Sequence, residues 1–263
     1  MTLQTLVAAV KQNMETIAEV MNLESDAIVI NQCEENSYLE YQHKGSNIQC
    51  YSFKERGVGL SRNNALLRAT ADILLFSDED IRYKDGYAEL VISEFEKRPE
   101  ADMLMFNFDV IEERATYKID HEHRITWLNC GRYPTYSVAV RREAIHKAGV
   151  TFSLLFGGGA PYSCGEDSLF IMDCIKKGLK AYAIPVTLGK EEPRPSTWFN
   201  GYNEKVFFDR GVLYVPLYGV LAKPLAIRWL LAHRSTFFKD NQEITNWKQA
   251  YKLMKKGMKE YKA

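Results

Sequence analysis

Cysteine is scarce in this chain and has no pattern. Cys33, Cys50, Cys130, Cys164 and Cys174 are the five in 263 residues, odd in number and without a CxxC pair. That excludes a zinc knuckle and a disulfide framework, and predicts a reducing, cytoplasmic setting. The five His have no metal-ligand spacing. No window reaches about 18 uninterrupted apolar residues, so no transmembrane helix is expected. The start, Met1-Thr2-Leu3-Gln4, lacks the basic region and apolar core of a signal peptide. Excess charge is also missing: Lys+Arg and Asp+Glu are both 34, which argues against whole-molecule attraction to nucleic acid.

What the chain does contain is a regular alternation of short apolar runs and amphipathic stretches. Buried strands are predicted at Leu3–Val10, Asp26–Asn31, Ile48–Phe53, Ile73–Phe76 and Met103–Val110. Helices are predicted between them at Lys11–Met21, Ser61–Ala69 (with Ser61 as N-cap) and Gly86–Lys97. Such alternation predicts an α/β fold with a parallel sheet and crossover helices. The second half is less regular. It offers a strand at Tyr136–Val140, helices at Arg141–Ala148 and Glu166–Lys177 ending at Gly178, and a short strand at Ala181–Pro185. Gly157-Gly158-Gly159 reads as a flexible joint. Beyond Trp198 the pattern turns helical and aromatic, with Pro224 opening a helix over Leu225–Leu231 and a basic helix at 242–261. The expected division is 1–195, split into a nucleotide-binding half 1–110 and a half 111–195, followed by a helical appendage 196–263.

The most informative segment is Leu75-Phe76-Ser77-Asp78-Glu79-Asp80-Ile81. A buried strand runs straight into carboxylates, two of them one residue apart. Ligands of open α/β sheets bind beyond the carboxyl ends of the strands. Carboxylates there suit a hard divalent cation and the phosphates it bridges. A solvated acidic turn is the simpler alternative for an isolated Asp-x-Asp. Arg62 follows Gly59-Leu60-Ser61 near a helix start, where a guanidinium and free backbone N–H groups can neutralise a diphosphate. Its alternative is a surface Arg paired with a local carboxylate. Glu166 and Asp167 open a helix after a Gly-rich stretch, where acidic residues also stabilise the helix dipole.

Together these pieces resemble the family 2 glycosyltransferases and their GT-A fold, over roughly residues 3–190. Gly59-Leu60-Ser61-Arg62-Asn63-Asn64-Ala65 is similar to the family's Gly-x-x-x-Arg-Asn segment, Asp72 to Asp80 to its strand and Asp-x-Asp, and Gly165-Glu166-Asp167 to its later Glu-Asp motif. The resemblance implies a Rossmann-like, mostly parallel sheet flanked by helices. It also implies an inverting, metal-dependent transfer of a sugar from a nucleotide-sugar donor, with UDP the expected nucleotide, to a hydroxyl of a glycan or lipid-linked glycan. Ala9, Asn31, Arg62, Asp78, Glu79 and Asp80 would bind the donor. Asp80 and Asp78 would hold Mn2+ or Mg2+. Asp167 would be the base, Glu166 its orienting neighbour, and Trp127 and Gly165 would contact the acceptor. The chain departs from the family at Asn31, where an Asp is usual, and in lacking a Pro beside Ala8-Ala9-Val10-Lys11. Asn31 can still offer an acceptor and a donor to a base, or be a simple turn residue. Bacterial surface-polysaccharide or capsule synthesis is the setting the resemblance suggests, extended weakly by Trp198-Phe199-Asn200-Gly201-Tyr202 and Phe207-Phe208-Asp209-Arg210-Gly211.

Two features stay open. Trp127 in Thr126-Trp127-Leu128-Asn129 can stack on a sugar ring or sit in a core. Lys239–Ala263 holds seven Lys against three acidic residues, a local charge of +4 against −4 for the remainder. Trp247, Tyr251, Met254 and Met258 share one helical face, which suits peripheral contact with an anionic inner membrane surface or packing on the same domain. The aromatic C-terminal third leaves room for a homodimer surface. A sugar nucleotidyltransferase would share the carboxylates, but residues 8–15 lack its Gly-rich basic loop. A non-catalytic glycan-binding or scaffold protein is the third reading.

Overall fold

The computed structural model describes residues 1–110, 117–193, 201–238 and 244–261. Trp198, Phe199, Asn200, the predicted boundary at 195/196, and the start of the basic tail lie outside them. In chain order the elements are β1 (Leu3–Val10), α1 (Ile17–Met21), β2 (Asp26–Gln32), β3 (Ser37–His43), β4 (Ser46–Phe53), α2 (Val58–Arg68), β5 (Ile73–Asp78), β6 (Ile81–Tyr83), α3 (Tyr87–Glu96), β7 (Met103–Asp109), β8 (His123–Arg124), β9 (Val138–Arg141), α4 (Arg142–Ala148), α5 (Glu166–Lys176), β10 (Ala181–Glu191), α6 (Glu204–Tyr218), α7 (Ala222–Ala232), α8 (Arg234–Phe237) and α9 (Trp247–Glu260).

One sheet runs β3-β4-β2-β1-β5-β9-β7-β10-β6, with β8 paired to β10. The stretch β4-β2-β1-β5 is parallel throughout. β9 is antiparallel to both β5 and β7, and β7 and β10 are again parallel. Period-two alternation sends each strand to two cores. Leu6, Ile28, Ile30, Leu74 and Phe76 face one side, with Ala65 of α2, Ile145 of α4 and Phe170 of α5. Val7, Val29, Ile73 and Leu75 face the other, with Met21 of α1 and Val91 and Phe95 of α3.

Several expectations change. The helix predicted at Lys11–Met21 shrinks to Ile17–Met21, because Lys11 adopts φ 53 and ends the strand in a loop. The helix predicted from Ser61 starts at Val58, with Gly57 (φ 124) as its N-cap. Ser61 is instead inside the helix, its hydroxyl bonded to the Ile30 carbonyl at 3.3 Å. The strand at Ala181 runs on to Glu191 through register shifts against β7. Gly157-Gly158-Gly159 is a close-packed seam and not a loose joint: the Val58 N–H donates to the Gly158 carbonyl at 2.9 Å. A Cβ on Gly157 would lie 2.7 Å from the Glu166 carboxyl carbon.

Glu204–Ala232 is long and apolar enough, by length and composition alone, to cross a membrane. It is not one straight rod. In a straight helix Phe207 and Trp229 would stand about 33 Å apart, at 1.5 Å per residue. Their rings are 6.4 Å apart, because the chain folds back at Gly219 (φ 53). α6 also lends Val212, Leu213 and Leu217 to the core under α5. The apolar face of α9 is taken up by its own domain: Ala250 and Met254 are buried with Phe207, Ala226 and Leu230.

Candidate active site

The carboxyl ends of β1, β2 and β5 open into a cavity of about 450 Å³, as the topology of an open α/β sheet requires. Its lining includes Ala8, Gln32, Arg62, Asp78, Glu79 and Glu166. The centre is Arg62, one turn into α2, with its side chain 5% exposed. One guanidinium nitrogen donates to Asp78 Oδ1 at 2.8 Å and the other to Glu166 Oε1 at 2.9 Å. The same group lies 5.5 Å from the centre of the Phe152 ring, which floors it. Burial pulls the Arg62 pKa down, but the charges of Asp78 and Glu166 outweigh it and keep the guanidinium charged. The alternative of a surface Arg with a local partner is therefore removed. Its partners are 16 and 104 residues away in sequence.

Glu166 starts α5 and is 14% exposed. Burial and the adjacent Asp167 charge raise its pKa, against the pull of Arg62. Asp167 accepts from the Ser168 N–H at 2.6 Å and so also caps the first turn of α5. The dipole reading thus has its backbone bond at Asp167, and Glu166, but not Asp167, is among the residues that line the cavity. Asp80 follows β5, and its carbonyl accepts from the Glu192 N–H at 2.8 Å, which ties the acidic turn to the end of β10. The Tyr136 phenol is 3.4 Å from Glu191. Burial, then the charges of Glu191, Asp78 and Asp80, push it well above its usual range, so these carboxylates surround it. Among the described residues no three His, Cys, Asp or Glu converge as a closed metal site.

Three predicted contacts change. Ala9 is fully buried on the opposite face, in the α1/α3 core; Ala8 and Val10 line the cavity in its place. Asn31 does not line the cavity. Its amide accepts from the Gln12 N–H at 3.1 Å and donates to the Gln12 carbonyl at 3.3 Å, so it clamps a residue that does. Gly165 is buried under Leu213, and its φ of 110 turns the chain into α5. Trp127, by contrast, is 45% exposed, which removes the core alternative. It lines a second cavity of about 580 Å³ against α6 and α7.

Sequence reasoning missed Gln32, whose side-chain oxygen accepts from the Gly57 N–H at 2.7 Å and fixes the start of α2. It also gave no role to Asp209. That buried carboxylate accepts from the N–H and hydroxyl of Ser163 at 2.9 and 2.7 Å and from Lys205 at 2.6 Å. It moors α6 to the loop that leads into Glu166 and Asp167. The signal was the charged pair Asp209-Arg210 inside an aromatic run.

The fold and this site define a glycosyltransferase of GT-A type. The family described as Glycosyl transferase family 2 matches residues 4–157, and the chain belongs to that family. Among solved structures it resembles Staphylococcus aureus TarS residues 1–349 in complex with UDP-GlcNAc, at 16% identity and TM-score 0.61, over 90% of this chain and 73% of that one. The complex of the same protein with UDP matches at 15% identity and TM-score 0.60, over 89% and 72%. The longer TarS structure matches at 15% and 0.60, over 90% of this chain and 44% of that one. No curated protein matches the chain.

Proposed function

We propose that this enzyme transfers a sugar from a UDP-linked donor to a hydroxyl of a glycan or lipid-linked glycan, with inversion at the anomeric carbon. The observation that carries the reading is Arg62, buried and charged between Asp78 and Glu166 where β1, β2 and β5 end. The likeness in fold to a protein solved with UDP-GlcNAc and with UDP supports the choice of base.

The donor set fits a divalent cation. Asp78, Glu79 and Glu166 line the cavity against the single cation of Arg62, so it is rich in carboxylates and would repel a diphosphate on its own. Asp80, with Asp78 held back by Arg62, would hold Mn2+ or Mg2+ and leave most ligand positions to phosphate and water, the usual pattern for such ions. The ion supplies charge to offset the developing diphosphate anion. In the transfer the acceptor oxygen attacks the anomeric carbon opposite the leaving group. A new C–O bond forms as the sugar–phosphate C–O bond breaks, and that electron pair goes to the β-phosphate. The acceptor proton passes to the Asp167 carboxylate. Arg62 faces the departing diphosphate, and Glu166 orients Arg62.

Calorimetric titration with UDP, with and without Mn2+, on the native chain and Asp80→Ala tests the donor site. Micromolar binding that needs both the ion and Asp80 is expected. Equal binding to GDP and dTDP would remove the base assignment, and no binding to any of the three would overturn the reading.

A further inference from the structure

The second cavity has a different chemistry from the first. It lies between the Trp127–Arg132 segment and α6/α7, and among its described lining residues there is no carboxylate. Three guanidinium groups enter it: Arg132, Arg210 and Arg228. Among the described residues none of the three has an ion-pair or side-chain hydrogen-bond partner, and the Arg210 Nε is buried without one. Aromatic faces alternate with the charges. Arg210 lies 5.0 Å from the Trp229 ring centre and Arg132 lies 5.1 Å from that of Tyr117. Trp127 stands exposed at the rim and Tyr214 is buried at the floor. Flat ring faces suit the apolar faces of sugars, and guanidinium forks suit oxyanions.

The cavity also adjoins the proposed base. Gly131 packs on the first turn of α5, where an added Cβ would sit 3.6 Å from the Ser168 hydroxyl. Glu166 lines the first cavity, and Asp167 is the next residue. Asp167 acts electrostatically on Arg62 in the first cavity and on Arg210 in the second. Burial pulls the Arg210 pKa down, and nearby Cys164, Tyr214 and Asp167 oppose that. Burial raises both Cys164 and Tyr214, so neither supplies a formal negative charge to Arg210 at neutral pH. A half-buried guanidinium whose Nε is buried without a hydrogen-bond partner, with the Trp229 face and a charge at longer range as its compensation, is completed by an anionic ligand.

We infer that this cleft binds an oxyanion on the acceptor, so that the acceptor is an acidic glycan with a phosphate or carboxylate near the hydroxyl that is glycosylated. This rests on the transferase reading only in naming the ligand as acceptor. Trp127 and Trp229 make intrinsic fluorescence a direct readout. The test is a titration at constant ionic strength and saturating UDP with a methyl hexoside, its phosphate ester and the corresponding methyl uronide. At least one acidic sugar is expected to bind about tenfold more tightly than the neutral one, and the stronger of the two identifies the oxyanion. Arg132→Gln/Arg228→Gln, at the exposed rim, should remove that preference while leaving UDP affinity unchanged. Arg210→Gln should do the same. Equal binding of all three sugars, no binding of either acidic sugar, or a preference that survives in the rim variant would overturn the inference. If native protein fails to bind UDP but still prefers the acidic sugar, the donor reading falls and the cleft stands.

Discussion

At the residue scale the site is organised around one cation held by carboxylates that cannot follow it into water. Removing Arg62 leaves Asp78 and Glu166 facing each other without compensation, and loss of one partner of a buried pair costs about 3–5 kcal/mol. Asp78 is one-quarter exposed, so Arg62→Met should lower unfolding free energy by about 3 kcal/mol in urea, together with loss of UDP binding. Unchanged stability would mean that the carboxylates relax outward. Glu166 gives a prediction whose sign can be worked out. Its folded pKa is raised above 4.5 by burial and Asp167. Folded protein therefore holds a proton more tightly than unfolded protein, and Glu166 costs stability as pH rises above about 4.5. The stability of Glu166→Gln relative to the native chain should grow as pH rises above about 4.5. A difference that does not vary with pH would mean that Arg62 offsets burial and the Asp167 charge. Asp167→Asn keeps the shape and removes the proposed base. It should lower kcat by roughly 10²–10⁴-fold with KM nearly unchanged, and a loss confined to KM would reassign Asp167 to binding.

At the element scale the sharpest feature is the crossing of α6 and α9. A Cβ on Gly211 would meet the Met254 carbonyl oxygen at 2.1 Å, and one on Gly257 would meet the Phe208 carbonyl oxygen at 2.1 Å. Each helix thus has a glycine where the other's backbone passes. Gly to Ala in an exposed helix gains about 1 kcal/mol, but overpacking costs about 1–3 kcal/mol. Here the obstacle is backbone and not a movable side chain, so Gly257→Ala should destabilise by about 2 kcal/mol in urea unfolding, while Lys255→Ala on the exposed face stays near neutral. A stabilised Gly257→Ala would mean that the helices part easily. The elements also differ in how legible they were. β1, β2, β4, β5 and β7 are buried strands with compact apolar runs, the pattern of parallel strands covered on both faces. β3 was missed because Ser37–His43 is a polar edge strand paired only to β4. The start of α2 was misplaced because Gly57, a helix N-cap without a side chain, looks like loop, whereas Ser61 looks like a cap. Asp78 and Glu166 were legible as cavity residues because they stand at element ends, and Arg62 because it lies one turn into α2. Gln32, Asp209 and Arg210 were not, since their partners come from tertiary packing that no local spacing encodes.

At the scale of the whole molecule the question is whether the C-terminal helices are an appendage. α7, α8 and α9 share a core of their own with Phe207 and Tyr214. α6, however, belongs to both cores. Val212 and Leu213 are fully buried among residues of the main core, Leu213 closes over Gly165, and Asp209 holds the loop before Glu166. Removing these helices would uncover Gly165 at the start of α5 and release the turn that carries both acidic residues. Burying an apolar side chain of this size is worth about 1.5–3 kcal/mol, and small domains have only about 5–15 kcal/mol to lose. Loss of Val212, Leu213, Leu217 and the Asp209 contacts is of that order. A chain ended at Asn203 should therefore show no cooperative unfolding transition, while the full chain melts in a single step that UDP with Mn2+ shifts upward. Asp209→Ala offers the milder version, with the helices in place but the loop unmoored. It should keep UDP affinity within a few-fold and lower kcat, because Arg62 and β5 are untouched while Asp167 is less well held. A truncated chain that folds and binds UDP as tightly as the whole would make α6 an accessory helix and move its contribution to the acceptor side alone.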